Sequence, residues 1–398
     1  MGFENWYSKK IGEVITLKRG YDLPWNKRTS GEYPILSSSG VSDFHNDYKV
    51  AGPGVTTGRS GLLGKVYYIE ENFWPLNTSL YVEDFKGNDP KYVYYLLQTI
   101  GLDNYNAGSS VPTLNRNHVH LLEVNIPDVN YQKRIGAFLY SFEEKISLNN
   151  KIITNLEQLA QMLFKRWFVD FEFPNENGDP YKSSGGEMVE SELGMIPALF
   201  KVQFLSQTVE FLSGGTPKTK IEEYWNGDIP FFTPKDSTGS IYETETEKSI
   251  TQLGLSKCNS RLYPKNTIFI TARGTVGKLS MANTDMAMNQ SCFALKHKVD
   301  NQYFLYFMME TLLRQIIQGS NGAVFNAINL RDLNTLKVVY PIDHLISQFE
   351  EVINPIFEML SNKEYENINL IKLRDTLLPK LLSGDLELPD EIEVPVVQ

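Results

Sequence analysis

Asn155-Leu156-Glu157-Gln158-Leu159-Ala160-Gln161-Met162-Leu163 returns 214 residues later as Asn369-Leu370-Ile371-Lys372-Leu373-Arg374-Asp375-Thr376-Leu377. The same spacing sets Pro127 on Pro341 and Arg59 on Arg273. Around that arginine, Thr57-Gly58-Arg59-Ser60-Gly61-Leu62-Leu63-Gly64-Lys65 is echoed by Thr271-Ala272-Arg273-Gly274-Thr275-Val276-Gly277-Lys278, one residue shorter. A solenoid unit spans only about 20–50 residues. The longer period marks a duplicated domain together with a connecting helix.

At 398 residues the chain is long enough for two or three domains, and the duplication favours two. With 41% hydrophobic and 12% aromatic residues it is globular. Two cysteines are too few for a disulfide framework, and no apolar run reaches a membrane span of roughly 18 residues. The expectation is a soluble cytoplasmic protein. The net charge of −10 sits away from the heads. Residues 1–130 carry −2 and 196–341 carry +3, whereas 169–195 carry −6 and 382–398 carry −5. Near-neutral heads leave room for a local basic face, so charge neither establishes nor excludes a nucleic-acid partner.

Apolar residues recur at helical spacing through 131–168, at Ile135, Phe138/Leu139, Phe142, Ile146, Ile152/Ile153, Leu156, Leu159, Leu163 and Trp167. At 1.5 Å per residue this helix is about 57 Å long. A second runs from about 343 to 382 through Phe349, Val352/Ile353, Ile356, Met359/Leu360, Leu370, Leu373, Leu377 and Leu381, with Pro355 expected to kink it and Pro379 to disturb its last turns. Both stripes turn polar midway, at Asn149 and at Lys363/Glu366. Two such helices are expected to pair as an antiparallel coiled coil. The flanking heads mix short β-rich runs with one helical patch each, an α+β pattern. The segments read as a first head at 1–130, a spacer helix at 131–170 and an acidic linker at 171–195. A second head at 196–341, a second helix at 342–384 and an acidic tail at 385–398 follow.

Catalytic patterns are absent from the sequence. Gly61-x-x-Gly64-Lys65 and Gly274-x-x-Gly277-Lys278 lack the first glycine and the closing hydroxyl of a phosphate-binding loop. Five scattered histidines and two cysteines offer no metal-ligand spacing, and no Asn- or Asp-Pro-Pro-aromatic box occurs. Glu143-Glu144-Lys145 reads as a solvated helix face. No catalytic residue and no metal site are expected. What recurs is an arginine and a lysine around a tight glycine turn, flanked by hydroxyl groups. Arg59 and Arg273 are placed to fork onto a base edge or phosphate, with Lys65 and Lys278 on the backbone and Thr57, Ser60 and Thr275 beside them. A second repeated element sets Ser38 and Ser39 against Thr233 and Lys235. A third sets Gly108–Asn115 against Gly319–Asn326 and contributes Asn321. Arg116 and Lys218 complete the candidate contacts.

These residues resemble the specificity subunit of a type I restriction-modification system. The resemblance covers nearly the whole chain and rests on the duplication and on motifs in order. They are Ser191-Glu192-Leu193-Gly194-Met195-Ile196-Pro197, Ser213-Gly214-Gly215-Thr216-Pro217, Tyr224-Trp225-Asn226-Gly227-Asp228-Ile229-Pro230, Arg273–Lys278, Asn289-Gln290-Ser291 and Lys380-Leu381-Leu382-Ser383-Gly384-Asp385-Leu386. In the first head, Lys18-Arg19-Gly20-Tyr21 replaces the Gly-Gly-Thr-Pro of 214–217. The resemblance implies two target-recognition domains related by pseudo-twofold symmetry, each reading half of a split duplex DNA sequence. The paired helices would be the ruler between them and the docking surface for two modification subunits, with Phe142, Ile146, Leu156, Leu163, Trp167, Ile356, Leu370 and Leu377 as the spacer and docking positions. The chain itself would bind no cofactor. S-adenosylmethionine would sit on the methyltransferase partner, and ATP and Mg on restriction subunits where those join. The competing readings are a bipartite protein scaffold that never touches DNA and an enzyme with an unrecognised cleft.

Overall fold

The computed structural model describes residues 6–105, 112–319 and 329–389. The chain forms two compact units, Met1–Leu148 with Ile368–Gln398, and Asn149–Asn367. The dividing points fall inside two long helices, Val129–Phe164 and Asp343–Ser383. Each unit therefore combines one α+β head with a stretch of both helices.

The first helix starts where Asp128 accepts hydrogen bonds from the Asn130 and Tyr131 amides, at 2.9 and 3.1 Å, satisfying donors that have no partner within the helix. It ends in one wider π turn, Lys165–Val169. The second helix continues through Pro355 and Pro379 and stops at Gly384, whose φ of +80° suits the left-handed cap position. Each proline removes a single donor, and the surrounding ladder persists.

Within each unit the helix stretches run antiparallel. In the first, Glu143 pairs with Arg374 at 2.5 Å, and Tyr131 Oη accepts from the Leu388 amide further along. In the second, Asn149 Nδ2 donates to Asn367 Oδ1 at 3.0 Å, while Phe164 packs on Phe349. The buried face of the first helix in this unit is Asn149, Ile153, Ala160, Phe164 and Trp167. Leu159, Met359 and Leu373, expected in the buried stripe, are exposed. The small Ala160 and the paired Asn149 occupy the inward positions instead. The polar partner of Asn149 is Asn367 rather than the Lys363–Glu366 ion pair.

The 171–195 stretch departs from the linker expectation because Phe173 is buried and Phe171 and Tyr181 are half-buried. Phe173 stacks on Tyr181 and Phe200 at 4.5 and 5.4 Å, and Met188–Ser191 pairs with Gly194–Pro197 as a hairpin. The start of the acidic tail is also packed, with Leu388 buried and Arg134 Nη2 donating to its carbonyl at 3.1 Å.

The heads repeat one strand plan. In the first, four strands order as Thr16–Arg19, Ser79–Asp84, Gly54–Gly58 and Val66–Ile69. In the second, Val209–Ser213, Cys292–His297, Ile268–Thr271 and Leu279–Ala282 take those places, with Tyr242–Glu243 added at the edge. Beside each lies a three-stranded sheet in which Tyr33–Ser37 pairs in parallel with Trp74–Pro75, and Trp225–Phe232 with Ala287–Met288. The strand register corrects the sequence alignment. Thr57 pairs with Val66 and Leu80, whereas Ile270 pairs with Leu279 and Phe293. Thr57 therefore corresponds to Ile270, 213 residues on. Arg59 corresponds to Ala272, and Ser60 to Arg273. Aligning the arginines conceals this; the glycines reveal it. Gly61 and Gly64 have φ of +91° and +82°, and Gly274 and Gly277 both have +83°.

Candidate nucleic-acid interface

At the tip of the first head, four segments meet: 19–22, 37–39, 58–65 and 76–78. Gly20 brings two of them together, since a Cβ there would lie 2.3 Å from the Leu76 carbonyl oxygen. The Tyr21 amide donates to the Pro75 carbonyl at 2.8 Å, and the Arg59 amide to the Thr78 carbonyl at 2.8 Å. Arg59 Nε donates to the Asn77 carbonyl at 2.8 Å, which holds the half-buried guanidinium against the loop. Burial and the neighbouring Arg19 cation both lower its proton affinity. Arg19 Nη2 lies 3.7 Å from Asp22 Oδ1, and Asp22 accepts in turn from Asn77 Nδ2.

The second tip joins 213–217, 232–237, 271–278 and 289–291. Gly214 plays the part of Gly20, for a Cβ on it would lie 2.1 Å from the Asn289 carbonyl oxygen. The motif Lys18-Arg19-Gly20-Tyr21 is thus the counterpart of residues 212–215, two positions from the sequence alignment. The Ala272 amide donates to the Ser291 carbonyl at 2.8 Å, as Arg59 does to Thr78. Lys278 Nζ donates to the Ser237 carbonyl at 3.1 Å and Thr275 Oγ1 to the Pro234 carbonyl at 3.3 Å, so the two turns are clasped. Beneath them Glu243 is buried. It accepts from the Thr238 amide and hydroxyl at 2.7 and 3.0 Å and from Ser280 Oγ at 3.3 Å. Burial raises its carboxyl to about 7 despite those donors.

The expected contacts divide accordingly. Lys65, Arg116, Lys218, Lys235, Arg273, Lys278 and Ser39 are exposed, and Ser38, Arg59 and Ser60 are half-buried at the same tip. Arg116 lies in a short helix with Nη1 3.4 Å from the Leu17 carbonyl. Thr57 leaves the set because it is fully buried and its hydroxyl donates to the Lys65 carbonyl at 2.9 Å. The half-buried Thr233 hydroxyl is committed to Asp236 at 2.7 Å. Asn321 lies outside the described residues, as does most of its repeated element. Five tip residues escaped the contact set: Arg19, Asp22, Asn77, Thr216 and Gln290. The signal that could have found them is the glycine shared by the two loops.

On the helices, Phe142 and Trp167 are buried, and Ile146, Leu156, Leu163, Ile356, Leu370 and Leu377 are half-buried. Leu156, Leu163, Trp167 and Ile356 pack in the core of the second unit, and Leu377 packs against that of the first. The exposed apolar side chains include Leu159, Met162, Val352 and Met359 in the second unit, and Leu148, Ile371 and Leu373 in the first. Among the described residues no group of three or more His, Cys, Asp or Glu is placed to hold a metal ion. A polar cleft of 660 Å³ in the second unit is lined by Lys265, Gln302, Tyr303 and Glu350. Its groups serve the fold: Lys265 Nζ donates to Ser361 Oγ at 2.6 Å, and Glu350 accepts from the Phe304 amide at 2.8 Å.

Duplicated heads of one strand plan, each tied to paired long helices, define a bipartite recognition architecture. The type I restriction modification DNA specificity domain matches residues 3–158 and again 197–369, and the chain belongs to that family. It is similar to the type I restriction enzyme MjaIX specificity subunit of Methanocaldococcus jannaschii, at 26% identity over 79% of this chain and 74% of that one. The HindI specificity subunit of Haemophilus influenzae is 24% identical over 75% of this chain and 77% of its own. The crystal structure of a type I restriction-modification S subunit from M. genitalium shares the fold, with a TM-score of 0.64 at 18% identity, covering 97% of each chain.

Proposed function

We propose that this chain reads a split duplex DNA sequence, one half with each head, and docks methyltransferase subunits through its helices. The observation that carries this reading is the pair of tips, built on one backbone register but furnished with different side chains. Shared register gives both heads the same way of approaching a groove, and the differing side chains give each its own base preferences. Cations gather at the tips even though the heads are near neutral: Arg19, Arg59 and Lys65 in one, Lys235, Arg273 and Lys278 in the other. The chain contributes specificity and the partner contributes the chemistry. S-adenosylmethionine belongs to the methyltransferase, and ATP and Mg to restriction subunits where they join, two of each being the expected complement. Among the described residues no helix is long and apolar enough to cross a membrane.

The exposed apolar residues Leu159, Met162, Val352 and Met359 suit the docking of a partner on the helix pair. The test is co-purification with the methyltransferase encoded beside this chain, followed by duplex-DNA binding of the complex across a salt series. Association together with binding that weakens steeply with salt supports the reading. Association without DNA binding would leave a protein scaffold.

A further inference from the structure

The glycine contacts that close each tip also place two side chains together at equivalent positions. In the first head Asn77 Nδ2 donates to Asp22 Oδ1. In the second Thr216 Oγ1 donates to Gln290 Oε1. The strand register makes these the same site. Leu76 and Asn289 both donate their amides to the neighbouring parallel strand, at the Leu36 and Phe232 carbonyls. Asn77 and Gln290 are the next residues along. Gly20 and Gly214 stand two residues before Asp22 and Thr216. Each tip therefore carries a side-chain amide fixed by a polar partner from the facing loop. We propose that Asp22–Asn77 and Thr216–Gln290 are specificity-determining pairs, each reading a base edge in its own half-site. This rests on the DNA-reading function proposed above.

The chemistry favours base reading over a purely structural clasp. Asp22, Thr216 and Gln290 are exposed and Asn77 half-buried, so the clasp hides no polar group from water. An amide is the side chain that forks onto an adenine edge, offering one donor and one acceptor. A carboxylate only accepts, so Asp22 must face the Asn77 NH2 group. One N–H and the carbonyl of Asn77 then remain for a base, in a fixed orientation. In the second head the Thr216 hydroxyl takes one lone pair of the Gln290 carbonyl and leaves both N–H donors available. The same position thus offers different patterns in the two heads, which is what reading unlike half-sites requires. Arg59 adds a further asymmetry. Its Nε donates to the main-chain carbonyl of Asn77, leaving the side-chain carbonyl free, whereas the equivalent residue in the second head is Ala272.

The test compares wild-type, N77A and Q290A chains, each co-expressed with the methyltransferase, on a plasmid library randomised across both half-sites. N77A is expected to relax discrimination at one base pair of one half-site by about 5- to 150-fold and leave the other half-site unchanged. Q290A is expected to do the converse. Unchanged preferences, or an equal loss on every sequence, would overturn the proposal. Should either alanine variant fail to yield a folded complex, D22L and T216V approximate the side-chain shape, remove the clasp and are judged by the same criteria. If the wild-type complex yields no split motif, the DNA-reading function itself is lost. If it yields one and the variants leave base preference intact, only the assignment of these pairs falls.

Discussion

Asn149 and Asn367 form a buried polar pair between the long helices, and their hydrogen bonds predict an unequal response to mutation. Asn149 is fully buried, and its Nδ2 donates to Asn367 Oδ1 at 3.0 Å while its own Oδ1 has no partner. Asn367, 6% exposed, also donates to Asn150 Oδ1 at 2.8 Å. Asn149→Leu therefore breaks one bond, removes an oxygen that was already unsatisfied, and leaves Asn367 still paired to Asn150. Asn367→Leu breaks two bonds and strands the whole Asn149 amide. A buried polar group left without its partner costs about 1–3 kcal/mol. The expected losses are at most about 2 kcal/mol for Asn149→Leu and about 2–4 kcal/mol for Asn367→Leu. The double variant replaces both partners with apolar groups and should recover most of the larger loss, as such replacements are often nearly neutral. Urea unfolding followed by circular dichroism gives all three values and closes a double-mutant cycle. Equal single losses, or a double variant as unstable as the two singles summed, would refute the assignment of this pair.

Other expectations follow from the tips and the helices. Glu243 carries a folded value near 7 against an ordinary 4.5, so the unfolded chain ionises first and stability falls as pH rises from 4.5 to 7. Glu243→Gln should match the wild type near pH 4 and exceed it at pH 8 by up to about 3 kcal/mol, measured by melting across pH; a parallel offset at every pH would contradict this. Arg273→Ala should weaken binding to one half-site by about 1–3 kcal/mol with no change in melting temperature. Arg59→Ala should lower both, because its Nε also holds the Asn77 loop, and DNA titrations beside thermal melts separate the two cases. Leu159→Asp with Met162→Asp should abolish methyltransferase co-purification while leaving the melt intact, since both side chains are exposed.

The duplication and the long helices were legible because helical spacing is a local property carried by many residues. The buried face of those helices was not. Leu159 and Leu373 looked like core, but the inward positions are chosen by the partner helix, which admits Ala160 and the paired Asn149. The acidic composition of 171–195 concealed a folded segment because Phe173 stacks both on Tyr181 and on the distant Phe200. At the tips the repeated turn was visible, yet its register was off by one. Matching arginines is a statement about identity, while the fold is set by strand pairing and by glycines at positive φ. The same limit kept Thr57 among the contacts, although its counterpart Ile270 marks a core position.

The most direct test of the central claim is a map of methylated bases in cells expressing the methyltransferase with and without this chain. A motif of two short specified sequences around an unspecified gap, present only when both proteins are made, is the predicted result. A methyltransferase that associates with the chain yet marks a continuous sequence, or marks the same sites without it, would contradict the account.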